Sequence, residues 1–484
     1  MAAASGHNAR LLALALALLL TALHLHGVVC DPSHTHFAMV SRNAPSWRPD
    51  RGGQGKVSAP SLDTCGCGPA PAPADPLKAA SLDKCGCPPA PAPSPEPSPE
   101  DFLNEKLQAL YPVIQAFKAT ITSDPRGVTA SWVGPNLCDS YFGGDMYKGF
   151  YCEHPPAPPG ATLPKDNTTL TIASIDFNGY GLGAPSLAGF VDAFPDLALF
   201  HANSNNFSGE VPDLTGLPYF YELDLSNNNF SGAFPATVVP LGRLLFLDLR
   251  FNRFVGTVPP PVFDLTVVAL FLNNNGFYGN IPDNFGSTTA EYLVVANNQF
   301  TGPIPRSIYN TSANLSEVLF LNNHLSGCLP YEIGLVEGLT VFDAGGNDIT
   351  GPIPLSLGCL GLVEELNLAG NQLYGHIPDV LCALAKTGKL QNLSLSDNYF
   401  HSVGRRHCLE LVRSKVLDVR LNCIPNFPHQ RPALECARFY ADPPQHCPFV
   451  PHIPCDLPGF RPPAAALPSA VAAEEGGGGG GGGN

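Results

Sequence analysis

Carboxylates and rings recur at one phase of a repeating segment. Asp176, Glu222, Asp224, Asp248, Glu317, Asp343, Glu365 and Asp418 flank short apolar alternations such as Leu223-Asp224-Leu225, and His201, Phe246, Phe271 and Tyr292 hold the corresponding places in neighbouring segments. The basic members are few, chiefly Arg250 and Arg420. Acids interleaved with rings suit a basic peptide that carries an aromatic or apolar anchor. Asp176, Asp224, Asp248 and Asp343 admit a second chemistry, paired-carboxylate glycoside cleavage. That needs desolvated acids, whereas these fall on what reads as an open sheet, so no catalytic residue is assigned. The sequence has no Gly-rich phosphate loop, Ser or Cys nucleophile motif, or His-Glu-x-x-His helix, and no cofactor is expected.

The elements that must carry these residues are set by asparagine. Asn205, Asn228, Asn252, Asn275, Asn298, Asn323, Asn347, Asn371, Asn398 and Asn422 recur every 23 to 27 residues, each after two alternating apolar positions, and most precede a Gly and an Ile-Pro or Val-Pro pair. That period predicts an α/β repeat solenoid: a plant-type leucine-rich repeat horseshoe of about 11 units over 169–425, with disulfide-bonded N- and C-terminal caps. The alternating positions form stacked parallel strands, the Asn caps the turn, and the Gly-x-Ile-Pro segment builds the convex side. A degenerate first unit has Tyr180 where the Asn belongs.

Residues 1–30, with Arg10, the apolar run Leu11 to Leu20 and Val28-Val29-Cys30, read as a secretory signal peptide. No later stretch reaches the length of a transmembrane helix, so no membrane anchor is expected. Residues 31–100 form a Pro-rich linker in which Ser61-Leu62-Asp63-Thr64-Cys65-Gly66-Cys67 returns as Ser81-Leu82-Asp83-Lys84-Cys85-Gly86-Cys87. A helical N-terminal cap follows at 101–168, with Leu103, Leu107, Leu110, Ile114, Phe117 and Ile121 at helical spacing and Pro112 expected to kink the pattern or start a second helix. A cap at 426–460 and an Ala/Pro/Gly tail at 461–484 close the chain.

Of 15 cysteines, Cys30 leaves with the signal peptide, and an even number remains in an oxidising compartment. The expected bridges are Cys138 to Cys152 and Cys423 to Cys436. Cys359 and Cys382, read as occupying matching phases of consecutive repeats, are expected to bridge on the convex side, leaving Cys328 and Cys408 for each other, the caps or a partner chain. Disulfides are preferred over metal for Cys65, Cys67, Cys85 and Cys87, and no metal site is assigned. Glycosylation sequons stand at Asn167, Asn206, Asn229, Asn310, Asn314 and Asn392, the last on the concave face. A formal net charge of −15 argues against nucleic acid as a partner.

Val133-Gly134-Pro135-Asn136-x-Cys138, Leu199-Phe200-His201-x-Asn203-Ser204-Asn205, Tyr221-Glu222-Leu223-Asp224, Phe246-Leu247-Asp248-Leu249-Arg250-Phe251-Asn252 and Phe271-Leu272-Asn273-Asn274-Asn275 resemble the N-terminal half of the leucine-rich repeat extensins over roughly 102–425. The resemblance implies a secreted cell-wall protein, not an enzyme, whose repeats bind basic, cysteine-containing signalling peptides, the rapid alkalinization factors. It also implies possible homodimers. The family's long Ser-Pro tail is not found after Cys455, and Asn422-Cys423-Ile424-Pro425 with Glu435-Cys436 looks like its extensin-less relatives. The Ala-Pro and Ser-Pro dipeptides at 69–73 and 89–98 resemble arabinogalactan-type modules, which would contact wall polysaccharide. On these grounds the peptide face comprises His201, Glu222, Asp224, Phe246, Asp248, Arg250, Phe271, Tyr292, Glu317 and Asp343. Two other functions fit a secreted repeat protein: inhibition of a pectin-degrading enzyme, as in the polygalacturonase-inhibiting proteins, and a structural wall scaffold.

Overall fold

The computed structural model describes residues 97–155, 169–311, 314–442, 446–450 and 452–455. The signal peptide, the Pro-rich linker with its Cys-Gly-Cys repeats, Asn167 and the 461–484 tail lie outside the described residues. All described residues belong to the unit 93–484.

Two sheets run the length of this unit as an open horseshoe. The concave sheet has 12 strands in chain order, from Phe150–Glu153 and Thr171–Asp176 to Leu417–Asp418. Its first pair is antiparallel and every later pair is parallel, so eleven repeat strands follow one cap strand. A second, 9-stranded parallel sheet stacks from Ser208–Gly209 to Tyr399–Val403. Short 3-10 helices such as Pro260–Asp264 and Tyr331–Leu335 form the convex side. Between these layers Phe230, Phe254, Phe277 and Phe300 stack with successive ring centroids 6.2–6.5 Å apart. No single repeat could bury that column alone, which is why the units must stack.

Asparagine ties each unit to its predecessor. Asn252 Nδ2 donates to Leu249 O (3.2 Å) and Arg250 O (3.2 Å) in its own turn and to Leu225 O (2.8 Å) one repeat back, while its Oδ1 accepts the Phe230 N–H (3.0 Å). All ten ladder asparagines repeat the pattern, from Asn205 to Asn422. The residue before each one is left-handed, with φ from 53° at Asn227 to 65° at Gly370. Asn, Asp and Gly tolerate that conformation best, which explains the Asn-Asn doublets.

The N-terminal cap is one helix, Glu105–Thr120, not two. Asn104 Oδ1 accepts the Leu107 N–H (3.0 Å) at its start. Pro112 sits inside it on the exposed side, where the carbonyl left without a donor by the ring is open to solvent. Phe117 faces Trp132, whose Nε1 donates to Lys148 O (3.0 Å), and Cys138 bonds Cys152 across this cap.

The C-terminal cap is the helix Ala433–Ala441, held to the last repeat by Cys423–Cys436. Phe439 stacks on Tyr399 at 3.7 Å between centroids, and Arg431 lies over the other part of the cluster, 4.3 Å from the Tyr399 ring. Beyond the helix the chain turns back onto the repeats. Cys447 bonds Cys328 and Cys455 bonds Cys359, while Cys382 bonds Cys408.

The expected Cys359–Cys382 bridge is therefore wrong. Aligning Ile353-Pro354 with Ile377-Pro378 places Cys382 opposite Gly358 and Cys359 opposite Ala383. One residue on a helical turn rotates a side chain by about 100°. Cys382 accordingly points into the core toward Cys408, whereas Cys359 stays half-exposed and meets the returning chain.

Candidate functional site

Cross-strand register places the predicted acids and rings on one face. One row of the concave sheet reads Ser174, Leu199, Glu222, Phe246, Ala269, Tyr292, Glu317, Val341, Glu365, Asn392. The next row reads Asp176, His201, Asp224, Asp248, Phe271, Val294, Leu319, Asp343, Asn367, Ser394, Asp418. All ten predicted contact residues belong to this face, with Arg250 two residues beyond Asp248. They divide into an acidic N-terminal end and an apolar middle of Phe246, Phe271, Tyr292, Val294 and Leu319. A second acidic stretch follows at Glu317, Asp343 and Glu365.

Alternation alone did not reveal how these acids are used. In the second row each carboxylate spends one oxygen on its own turn. Asp176 Oδ1 accepts the Asn178 N–H (2.9 Å), Asp224 Oδ1 the Ser226 N–H (2.9 Å) and Asp248 Oδ1 the Arg250 N–H (3.0 Å). Asp343 and Asp418 do the same for Gly345 and Arg420, and Asn367 for Ala369. These are Asx turns at the exit of each strand, so Oδ1 is structural and only Oδ2 is left for another partner.

Nor are the acids on an open, solvated sheet. Asp248 is fully buried and Asp224 nearly so, because the shallow concave surface lets side chains of adjacent units cover one another. Burial pushes the carboxyls of Asp176 and Asp343 above the usual range, and that of Asp248 well above it, against the opposing pull of Arg250. His201 Nε2 lies 2.9 Å from Glu222 Oε2, with Asp176 and Asp224 beside it. In the apolar middle Phe246 meets Phe271 edge-on at 5.9 Å, and burial with the carboxylates of Glu291 and Glu317 pushes the Tyr292 phenol up to about 12.

Tyr151 was missed as a member of the face. It pairs opposite Ser174 in the antiparallel cap strand and carries the first row one strand further. The signal was present in the alternation Phe150-Tyr151-Cys152-Glu153, buried and exposed by turns, but it was read only as part of a disulfide cap. Asn273 was missed as well, having been noted only within the extensin-like segment Phe271-Leu272-Asn273-Asn274-Asn275. Among the sequons, Asn206, Asn310, Asn314 and Asn392 are exposed and Asn229 is half-buried. Asn392 does lie on the concave face, with Nδ2 donating to Glu365 Oε1 (3.0 Å).

The Leucine Rich Repeat family model matches residues 220–241 and 362–384, two of the units that the ladder and register define. Those two segments are leucine-rich repeats in sequence as well as in fold. The chain's homologues include leucine-rich repeat extensin-like protein 6 of Arabidopsis thaliana, 38% identical over 251 residues, which covers 51% of this chain and 49% of the relative. Leucine-rich repeat extensin-like protein 2 of Arabidopsis thaliana is 39% identical over 236 residues, covering 49% of this chain and 25% of the relative. This repeat protein thus spans less than half the length of either relative. Among solved structures, the plant peptide hormone receptor RGFR1 in complex with RGF2 matches at TM-score 0.43 and 27% identity, over 48% of this chain and 37% of that one. No helix among the described residues is long and apolar enough to cross a membrane.

Proposed function

We propose that this protein is secreted and binds a basic, cysteine-containing signalling peptide of the rapid-alkalinization type on its concave face, in control of the plant cell wall. The observation that carries the reading is the two-row register. It gathers eight carboxylates on one sheet, interrupts them with an aromatic patch, and leaves Arg250 and Arg420 as the predicted cations there, each beside an acid of its own. Spare carboxylate oxygens attract a cationic ligand, and Phe246, Phe271 and Tyr292 supply the apolar area that holds it. Five disulfides support an oxidising compartment, and the extensin-like homologues support a wall setting.

The test is titration calorimetry of the secreted protein against a folded basic peptide of this type at low and high salt. Binding that weakens with salt is expected, because salt screens the attraction of a cationic ligand approaching this acidic face through solvent, beyond about 10 Å at 0.1 M. Absence of heat at both salts overturns the reading. A fall in reducing sugar released from pectin by a polygalacturonase, without peptide binding, would favour enzyme inhibition instead.

A further inference from the structure

Asp-x-Arg occurs twice at the same phase of the repeat, and the two copies behave differently. In the later copy Arg420 Nε and Nη2 donate to both oxygens of Asp418 at 2.7 to 3.1 Å, out in solvent. In the earlier copy Arg250 Nε stands 2.9 Å from Asp248 Oδ2 but does not aim its N–H at it, and Oδ2 is buried with no hydrogen-bond donor. The guanidinium is instead drawn over Phe271, 5.1 Å from the ring centroid.

A second orphan lies next to it. Asn273, just past the strand Ala269–Phe271, is only 3% exposed, and its Oδ1 is likewise buried and unpartnered while Nδ2 donates to Asn274 Oδ1 (2.8 Å). Asp248 pairs in register with Phe271, and Asn273 lies two residues past Phe271 at the phase of Arg250, so the two acceptors belong to neighbouring units of the same face. Buried acceptors without donors are rare in native proteins and cost stability. These two share one face and one vicinity.

We infer that Asp248 Oδ2 and Asn273 Oδ1 form a cation subsite for a guanidinium or ammonium side chain of the ligand, and that Arg250 occupies it as an internal plug which the ligand displaces. The inference rests on the peptide-binding reading and adds to it which acid is used and what guards it. Arg250 is a serviceable plug because it is half-exposed and can swing out by a rotamer change, whereas Asp248 is pinned by its turn bond to the Arg250 amide. Phe271 serves both states, since its ring face attracts either cation.

The experiment titrates agmatine, a small guanidinium probe, into the full chain and into Arg250→Ala, followed calorimetrically. Removing the plug should tighten agmatine binding at least tenfold, and Asp248→Asn on that background should abolish the gain. Equal affinity in the wild type and Arg250→Ala, whether measurable or absent in both, overturns the subsite. If Arg250→Ala fails to fold, Arg250→Gln replaces it, because the shorter amide keeps a neutral side chain over Phe271. The folded basic peptide is titrated in parallel. Peptide binding that is indifferent to Arg250 and Asp248 sinks the subsite and leaves peptide recognition standing, whereas agmatine binding to Arg250→Ala without peptide binding does the reverse.

Discussion

His201 Nε2 and Glu222 Oε2 meet at 2.9 Å across adjacent strands, with both side chains nearly out of solvent. Burial alone would lower the imidazole. The Glu222 hydrogen bond and the charges of Asp224, Glu222 and Asp176 outweigh it and raise the His201 pKa. Glu222 can thereby be held by the protein's own cation at acid pH.

His201→Gln should expose this linkage. A histidine whose folded pKa lies above the unfolded value of about 6.5 contributes stability that is complete below the unfolded value and is lost as pH rises through the folded one. Wild type should exceed the variant by about 1–2 kcal/mol near pH 5.5, the range of a charged hydrogen bond, with the gap closing by pH 8.5. Thermal unfolding across that range measures it, and a gap that widens toward alkaline pH would contradict the assignment.

Asp224 separates structure from recognition. Its Oδ1 accepts both the Ser226 amide (2.9 Å) and the Ser226 hydroxyl (2.6 Å). Asp224→Asn keeps an oxygen for the turn, as Asn367 does naturally. Asp224→Ala removes it and should cost about 1–2 kcal/mol in denaturant unfolding, whereas Asn should be close to neutral. Both should weaken binding of a basic peptide by roughly fivefold or more. Alanine loss with full binding in Asn would make the charge dispensable.

These residues mark where sequence suffices. The ladder asparagines and the in-out alternation were legible because period and side-chain direction are local properties of a strand and its turn. The face itself followed, since register between identical units is fixed by the repeat length. The burial of Asp248 was not legible, because it depends on rings and side chains contributed by other units. Tyr151 was obscured because a cap strand breaks the repeat. The bridges of Cys328 and Cys359 depend on a chain reversal after Ala441 that no periodicity records.

That reversal predicts a specific disulfide map. Proteolysis without reduction should release peptides joining Cys328 to Cys447, Cys359 to Cys455 and Cys382 to Cys408. A Cys359–Cys382 peptide in mass spectrometry would overturn it. Cys447→Ser removes a bridge spanning 119 residues and should lower stability by up to about 5 kcal/mol on the chain-entropy account.

The ladder predicts the most severe single substitution on the concave side. Asn398 is fully buried, with Nδ2 donating to Leu368 O (2.9 Å), Leu395 O (3.3 Å) and Ser396 O (3.1 Å), and Oδ1 accepting the Leu373 N–H (3.0 Å). Asn398→Ala takes the side-chain acceptor from the Leu373 N–H, at about 1–3 kcal/mol for a buried donor left unsatisfied, and one donor from each of three carbonyls that keep Asn371 Nδ2, Asn422 Nδ2 and the Gly370 N–H. A loss of roughly 2–3 kcal/mol in denaturant unfolding is expected. Asn398→Asp should be nearly as damaging, because a carboxylate cannot donate to the three carbonyls. Since Asn398 couples its unit to the preceding one, hydrogen exchange should rise first in the segment from Leu368 to Ala441 and leave the cap helix Glu105–Thr120 protected. Uniform loss of protection along the chain would mean that the repeats unfold as one block, with no separable contribution from this rung.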